Sequence, residues 1–255
     1  MASTSVTALV MAGGRIGGEY ARVGGTQVKA LVRIAGRAML ESTLDALRSA
    51  NRVARTIVVG PGDVRDAAMA FGAEWTIETP TLLGNVQAAV AASGAGGQEK
   101  VLLIGSDLAE PRPTSIDDFL ARSPDEADFT APIVSRLDYE RVYPSSPATY
   151  VKLKEGEITM GSQFLSAASL MISPPPAVAA MLGHRKSQIR MARTLGPWFV
   201  WRLVTGALTI AETQQRVSEL LGAPSAAVMD CAPDLAFDVD DVRDLTYATI
   251  RASRI

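Results

Sequence analysis

The chain has 255 residues, 47% of them hydrophobic and 20% charged, with a formal net charge of −2. That length supports one large α/β domain or one domain with a sizeable insertion, and the charge gives no general affinity for nucleic acid or an anionic membrane. The single cysteine, Cys231, excludes an intrachain disulfide, and with the single histidine, His184, it excludes a His/Cys zinc cluster.

A Ser-His-Asp triad would have to use His184, which sits in a basic stretch with no nucleophile signature. Any chemistry therefore rests on carboxylates, lysines, arginines and backbone amides. The first residues lack the charged region and cleavage site of a signal peptide, and the apolar run that follows is too short to span a membrane. With the cysteine usage, this leads to an expectation of a cytoplasmic protein.

In chain order, residues 6–11 form a β-rich apolar run that stops at Ala12-Gly13-Gly14, the pattern of a central parallel strand. A long glycine-rich loop is expected next, and residues 29–34 read as extended. Residues 38–50 carry leucines at 40, 44 and 47, a helical spacing. Residues 55–60 read as a second buried strand, 63–71 as helix, 74–78 as a short strand, and 84–93 as an alanine-rich helix with Asn85 near its start. Residues 100–105 form a third buried strand that runs directly into Ser106-Asp107, and helix signals return at 115–122. Strands alternating with helices at this pace predict a doubly wound parallel sheet. The rhythm then changes: 129–134 and 149–154 read as strands. The segment 174–222 reads as mostly helical, with a helix start of capping-box form at Leu208-Thr209 and Glu212, and is expected to be an inserted subdomain. A strand at 226–229, the acidic segment 237–245 and a last helix complete the chain.

Two familiar phosphate motifs fail at the glycine loop. Gly13 and Gly18 have P-loop spacing, but Glu19-Tyr20 follow in place of Lys-Ser, and no G-x-G-x-x-G is present. What remains is Leu9-Val10-Met11-Ala12-Gly13-Gly14-Arg15 and, later, Lys29-Ala30-Leu31. This resembles the nucleotidyltransferases related to molybdenum-cofactor guanylyltransferase and the sugar-phosphate nucleotidyltransferases. Glycines there let backbone amides approach base and phosphates closely. The resemblance implies that Leu9, Ala12, Gly13, Gly14, Lys29 and Asn85 line the nucleotide site, with Arg15 and Lys29 neutralising the triphosphate. The family's usual Arg-Met-Gly is absent, so whether Arg15 or Arg22 meets the triphosphate stays open.

Asp107 stands just beyond a buried strand, where open parallel sheets bind ligands. The resemblance makes it a metal-binding aspartate, with Ala109 standing where proline is usual. Phe237-Asp238-Val239-Asp240 followed by Asp244-Leu245 is similar to the family's second acidic segment. In a strand, Asp238 and Asp240 would share one face, and two carboxylates there repel unless a cation joins them. The implied cofactor is Mg²⁺, held by Asp107 with Asp238 or Asp240. The plainer reading is that Asp240 or Asp241 caps the last helix, with Asp244 structural.

Residues 149–156, the Thr159-Met160-Gly161 segment and Arg185-Lys186-Ser187 resemble a subgroup of bacterial sugar-phosphate-type nucleotidyltransferases. They suggest Lys186, with Arg185 or Lys152, as the grip on an acceptor phosphate, against the plainer reading of solvated surface. Trp198, Phe199 and Trp201, with Leu195 and Leu203, read as packing or a subunit contact before an acceptor pocket. A homodimer is compatible with this.

The expectation as a whole is a Rossmann-like, GT-A-type nucleotidyltransferase with a doubly wound, mostly parallel sheet and a helical insertion near the C-terminus. It would transfer a nucleoside monophosphate from a nucleoside triphosphate to a small phosphorylated or phosphonate acceptor. The alternatives are a molybdenum-cofactor-type guanylyl- or cytidylyltransferase, a non-catalytic nucleotide-binding relative, and a glycosyltransferase of similar architecture.

Overall fold

A computed structural model describes residues 5–176, 178–179 and 196–254. The strands are β1 (Val6–Met11), β2 (Arg33–Ile34), β3 (Arg37–Ala38), β4 (Val53–Gly60), β5 (Glu74–Ile77), β6 (Lys100–Gly105), β7 (Phe129–Ser135), β8 (Val151–Leu153), β9 (Gly156–Met160), β10 (Gln163–Ala167) and β11 (Ser225–Val228). Nine of them form one sheet in the order β5-β4-β1-β6-β10-β7-β9-β8, with β11 pairing with β7, and β2 and β3 form a separate small hairpin. From β5 through β6 all pairing is parallel. Beyond β6, β10, β9 and β8 run antiparallel to their neighbours, while β11 is parallel to β7. This is the doubly wound architecture expected, with a mixed half added.

The parallel half is buried on both faces, which is why its strands read as continuous apolar runs. Ala8 and Val10 of β1 face one core with Leu44, Leu47, Leu102 and Phe119. Leu9 faces the other, with Ile57, Val59, Val86 and Val90. Each fully buried aliphatic side chain stabilises the fold by about 1.5–3 kcal/mol. Helix Met39–Ser49 lies against the first core with Leu40, Leu44 and Leu47 inward. Helix Leu82–Ser93, capped by Thr81 accepting from Gly84 N, covers the second.

Two local expectations are corrected. The long glycine loop contains a helix, Gly18–Gly24, seated by buried Tyr20. Residues 29–34 are not extended throughout: Lys29–Leu31 form a 3₁₀ turn before β2. The backbone closes that turn with Leu31 N donating to Val28 O and Val32 N to Lys29 O. An apolar stretch this short carries no periodicity that separates a tight turn from a strand.

In the mixed half, β9 ends against β7, with Met160 opposite Ile133 and Ile158 opposite Ser135. Gly156 and Glu157 pair only with β8. The β8–β9 hairpin therefore overhangs the carboxyl end of β7, at the edge where β1 and β6 also end. Helices Pro197–Val204 and Ile210–Leu221 accompany it. Leu153, Phe199 and Leu208 form their own small core, joined by Ile158, Leu203 and Ile210. Of the expected helical segment, residues 177 and 180–195 lie outside the described residues.

Candidate nucleotide site at the carboxyl edge of the sheet

β1 delivers Ala12, Gly13 and Gly14 to the carboxyl edge, where Ala12 N makes a last rung to Val59 O at 2.8 Å. A Cβ on Gly13 would sit 2.5 Å from Glu78 Oε2 and 3.0 Å from Asn85 Nδ2, so a larger residue there would push the Glu78 side chain aside. Gly14 O accepts from Lys29 N at 3.0 Å, and Ile16 N donates to Gln27 O at 3.0 Å. Residues 14–16 and 27–29 thus run antiparallel, bridged at Arg15 and Val28. The loop is therefore folded back on itself, and its return strand brings Lys29 beside Gly14.

Leu9 has no exposed surface. Its side chain packs in the sheet's second core, which leaves only its backbone to face a nucleotide. Ala12 is equally buried and lies close beneath Gly60, where an added Cβ would come within 3.1 Å of the Ala12 Cβ. Arg15 stands at the mouth, donating to Gly13 O at 3.0 Å and forming an ion pair with Glu78. Arg22 lies on the loop's helix with its side chain exposed and pairs with Glu19.

Asp107 follows β6 directly, and the backbone around it pairs with the second acidic segment. Ala109 N donates to Phe237 O at 2.8 Å and Val239 N to Asp107 O at 3.0 Å. Along this segment Phe237 and Val239 point inward and are buried, while Asp238 is partly covered and Asp240 exposed. The alternation expected of a strand holds, although only Leu108 and Asp238 form a bridge. Lys29 Nζ donates to Asp107 Oδ2 at 2.5 Å and also to Asp240 Oδ1. Three distant segments converge on one ammonium. Burial works against the charge on Lys29, but Asp107 and Asp240 outweigh it and hold the ammonium above the ordinary lysine value. Burial, then the charges of Asp107 and Asp240, push the Asp238 carboxyl up to about 7.

The burial has a visible source. Behind the acidic segment, Phe237 packs on Tyr143 with ring centroids 4.4 Å apart and on Tyr247 at 5.8 Å. Tyr139 packs on Tyr143 at 5.1 Å. Among the described residues, no three Asp, Glu, His or Cys side chains close into a ready cation cage; the Lys29 ammonium stands between Asp107 and Asp240. Asp241 caps the last helix, accepting from Arg243 N and Asp244 N. Asp244 completes the box by accepting from Asp241 N at 3.0 Å, and it also accepts from Asp240 N at 2.9 Å, which pins the residue carrying the exposed carboxylate.

Four residues of this region were not singled out from the sequence. Glu78 follows β5 as Asp107 follows β6, so the same strand-end rule would have found it. Tyr20 donates to Val239 O at 2.8 Å and ties the loop's helix to the acidic segment. Ser106 donates to Met11 O at 2.9 Å and ties the ends of β6 and β1 together. Asp234, fully buried, accepts from Arg112 N, Arg112 Nη2 and Ser115 Oγ, anchoring the turn that precedes Asp238. Tyr20, Ser106 and Asp234 carry no motif; only their partners give them meaning.

Lys152 lies on the overhanging β8, exposed, with its stem over Gly206. Arg185 and Lys186 lie outside the described residues, as does Leu195. The aromatic group divides: Phe199 is buried, whereas Trp198 and Trp201 are 57% and 61% exposed. No described helix is long and apolar enough to cross a membrane.

The comparisons with known proteins bear on the fold and the family. A structure of a hypothetical transferase from Thermus thermophilus matches with a TM-score of 0.82 and 29% identity, over 95% of this chain and all of that one. The structure of CMP:2-keto-3-deoxy-manno-octonic acid synthetase complexed with CTP matches at a TM-score of 0.58 and 13% identity, over 99% of this chain and 100% of that one, a likeness of fold. The bifunctional protein GlmU of Xanthobacter autotrophicus is 31% identical over 172 residues, which is 65% of this chain. The chain spans only 35% of that relative's length. The MobA-like NTP transferase domain matches residues 8–198, with the glycine turn, Lys29 and Asp107 inside the matched span. The chain belongs to the MobA-like NTP transferase domain family, a family of nucleotidyltransferases.

Proposed function

We propose that the protein transfers a nucleoside monophosphate from a nucleoside triphosphate to a small phosphorylated acceptor, a sugar, cyclitol or polyol phosphate, or to a phosphonate, with release of pyrophosphate. The observation that carries this reading is the Lys29 ammonium held between Asp107 and Asp240 beside the bare Gly13-Gly14 turn. An acceptor phosphate oxygen attacks the α-phosphorus and pyrophosphate leaves in line. The acceptor is already an anion, so no general base is required, which suits a chain with one histidine. Catalysis is then positioning and charge neutralisation. Lys29 and Arg15 meet the triphosphate, and Gly13, Gly14 and Asn85 border the base and ribose.

Mg²⁺ fits the donor set. Asp107, Asp238 and Asp240 supply hard carboxylate oxygens, two of them already gathered on the Lys29 ammonium. Asp107, with Asp238 or Asp240, would hold the ion, which would neutralise phosphate charge. Lys186, with Arg185 or with Lys152 of the overhanging β8–β9 hairpin, is proposed to grip the acceptor phosphate.

The test mixes the protein with each ribonucleoside triphosphate and dTTP, Mg²⁺ and a panel of sugar, cyclitol, polyol, phosphonate and molybdopterin acceptors. Pyrophosphate release that needs one nucleotide and one acceptor, and stops with EDTA, supports the reading. Absence of triphosphate binding in a thermal-shift assay overturns it in favour of a non-catalytic relative.

A further inference from the structure

We infer that Glu78 reads the base and that Arg15 keeps the base's place in the free protein, which makes the preferred donor a guanine nucleoside triphosphate. The inference rests on the nucleotidyl-transfer reading above and adds to it a specificity residue and a substrate.

Glu78 is set at the carboxyl edge by its own backbone, with Glu78 N donating to Gly60 O at 3.2 Å. Its carboxylate lies on the bare face of Gly13, with Oε2 2.5 Å from the point a Cβ would occupy. A carboxylate only accepts hydrogen bonds. Asn85 approaches the same point from the other side with Nδ2 at 3.0 Å. Its orientation is fixed by chemistry: Thr79 N can only donate, and it reaches Asn85 Oδ1 at 2.5 Å, joined by Thr79 Oγ1 at 2.9 Å. The amide NH₂ therefore faces Gly13. Side by side beneath the glycine turn stand a two-oxygen acceptor and a single donor.

In the free protein the acceptor is taken by a fork. Arg15 Nη2 donates to Glu78 Oε1, and Nη1 donates to Oε2 at 3.3 Å. The fork is two adjacent N–H groups meeting two oxygens. Among the common bases only guanine presents the same fork, through N1–H and the exocyclic N2–H, and it presents an acceptor, O6, next to it for Asn85. Cytosine and adenine offer one amino group beside a ring-nitrogen lone pair, which faces the second carboxylate oxygen unfavourably. Uracil offers one N–H flanked by two carbonyls. Guanine thus replaces Arg15 on Glu78 bond for bond, and the displaced guanidinium is free to turn to the triphosphate. Base recognition and delivery of the arginine charge become one event.

The test is calorimetric binding of GTP, ITP, CTP, UTP and ATP, with Mg²⁺ and no acceptor, to the wild-type chain and to Glu78→Gln and Glu78→Asp, each checked for folding by circular dichroism. ITP lacks only the exocyclic amino group. The wild type is expected to bind GTP about ten- to a hundredfold more tightly than ITP, the scale of a bidentate contact. Glu78→Gln should bring the two within about threefold of each other, and Glu78→Asp should keep part of the preference. Equal binding of GTP and ITP by the wild type, an unchanged ratio in Glu78→Gln, or tighter binding of CTP, UTP or ATP overturns the inference and leaves nucleotidyl transfer standing. No binding of any triphosphate overturns both.

Discussion

On the β5-β4-β1-β6 side, the charged groups of the candidate site are each tied to a second element: Arg15 to Glu78, and Lys29 to Asp107 and Asp240. Tyr20 and Asn85 are fixed in the same way. On the β8–β9 side, Lys152 is exposed, and Trp198, Trp201 and Val204 face outward. There an open apolar groove of about 110 Å³ runs between helix Ile210–Leu221 and the sheet. The contrast follows from what each side is asked to do. A group that must meet a fixed charge cannot wander, because misplacement of about 1 Å loses about a hundredfold in rate. Among the described residues, the β8–β9 side carries no such ion-paired group at Lys152, and the proposed acceptor role asks less of its placement.

The sharpest way to break this comparison is to exchange the losses. Asp107→Ala and Lys29→Ala are expected to lower kcat about a hundred- to a thousandfold, while Lys152→Ala raises the acceptor KM with little change in kcat. Steady-state kinetics with both substrates varied decides it; a larger kcat loss from Lys152→Ala would reverse the roles of the two sides.

A pH titration sharpens it. In the unfolded chain Asp238 gives up its proton near the ordinary carboxylate value, and in the folded protein it holds the proton up to about 7. Between those values the folded state binds more protons. Stability in EDTA should therefore fall as pH rises from about 4 to about 7. Asp238→Asn should flatten that part of the curve, and Mg²⁺ should reduce the fall in the wild type. Urea unfolding across pH reads all three; an identical slope in Asp238→Asn removes Asp238 as the source.

Smaller effects follow further from the charges. Tyr20→Phe loses the hydrogen bond to Val239 O, and a stability decrease of about 1 kcal/mol is expected, with a few-fold lower kcat/KM. Unchanged kcat/KM with lowered stability would make Tyr20 a packing residue alone. Trp201→Ala, on the exposed face of its helix, should shift stability by no more than about 0.5 kcal/mol. A larger drop in thermal melting would show that this face is covered in solution.

The sequence marked the candidate site at its strand ends. Gly13, Gly14 and Asp107 stand where apolar runs stop, and parallel strands all stop at one edge of a sheet. Lys29 and the acidic pair were found through resemblance, and the alternation that turns Asp238 and Asp240 outward was legible as well. Glu78 was missed although it obeys the same rule, because β5 is short and weakly apolar. The motif around Leu9 does not announce that the pleat of β1 turns its side chain into the core.

The sequence by itself determined the parallel strands β1, β4, β5 and β6 and which turns reach their carboxyl edge, since hydrophobic period and glycine stops are local properties; it marked neither β9 nor β10, which lies between β6 and β7. Only the tertiary structure decided that Lys29 joins Asp107 and Asp240, that Arg15 rests on Glu78, and that the β8–β9 hairpin overhangs that edge. The physical reason is distance along the chain. These ion pairs link residues 63, 78 and 211 positions apart, and no local periodicity records which of several free carboxylates a given cation will meet once the sheet has closed.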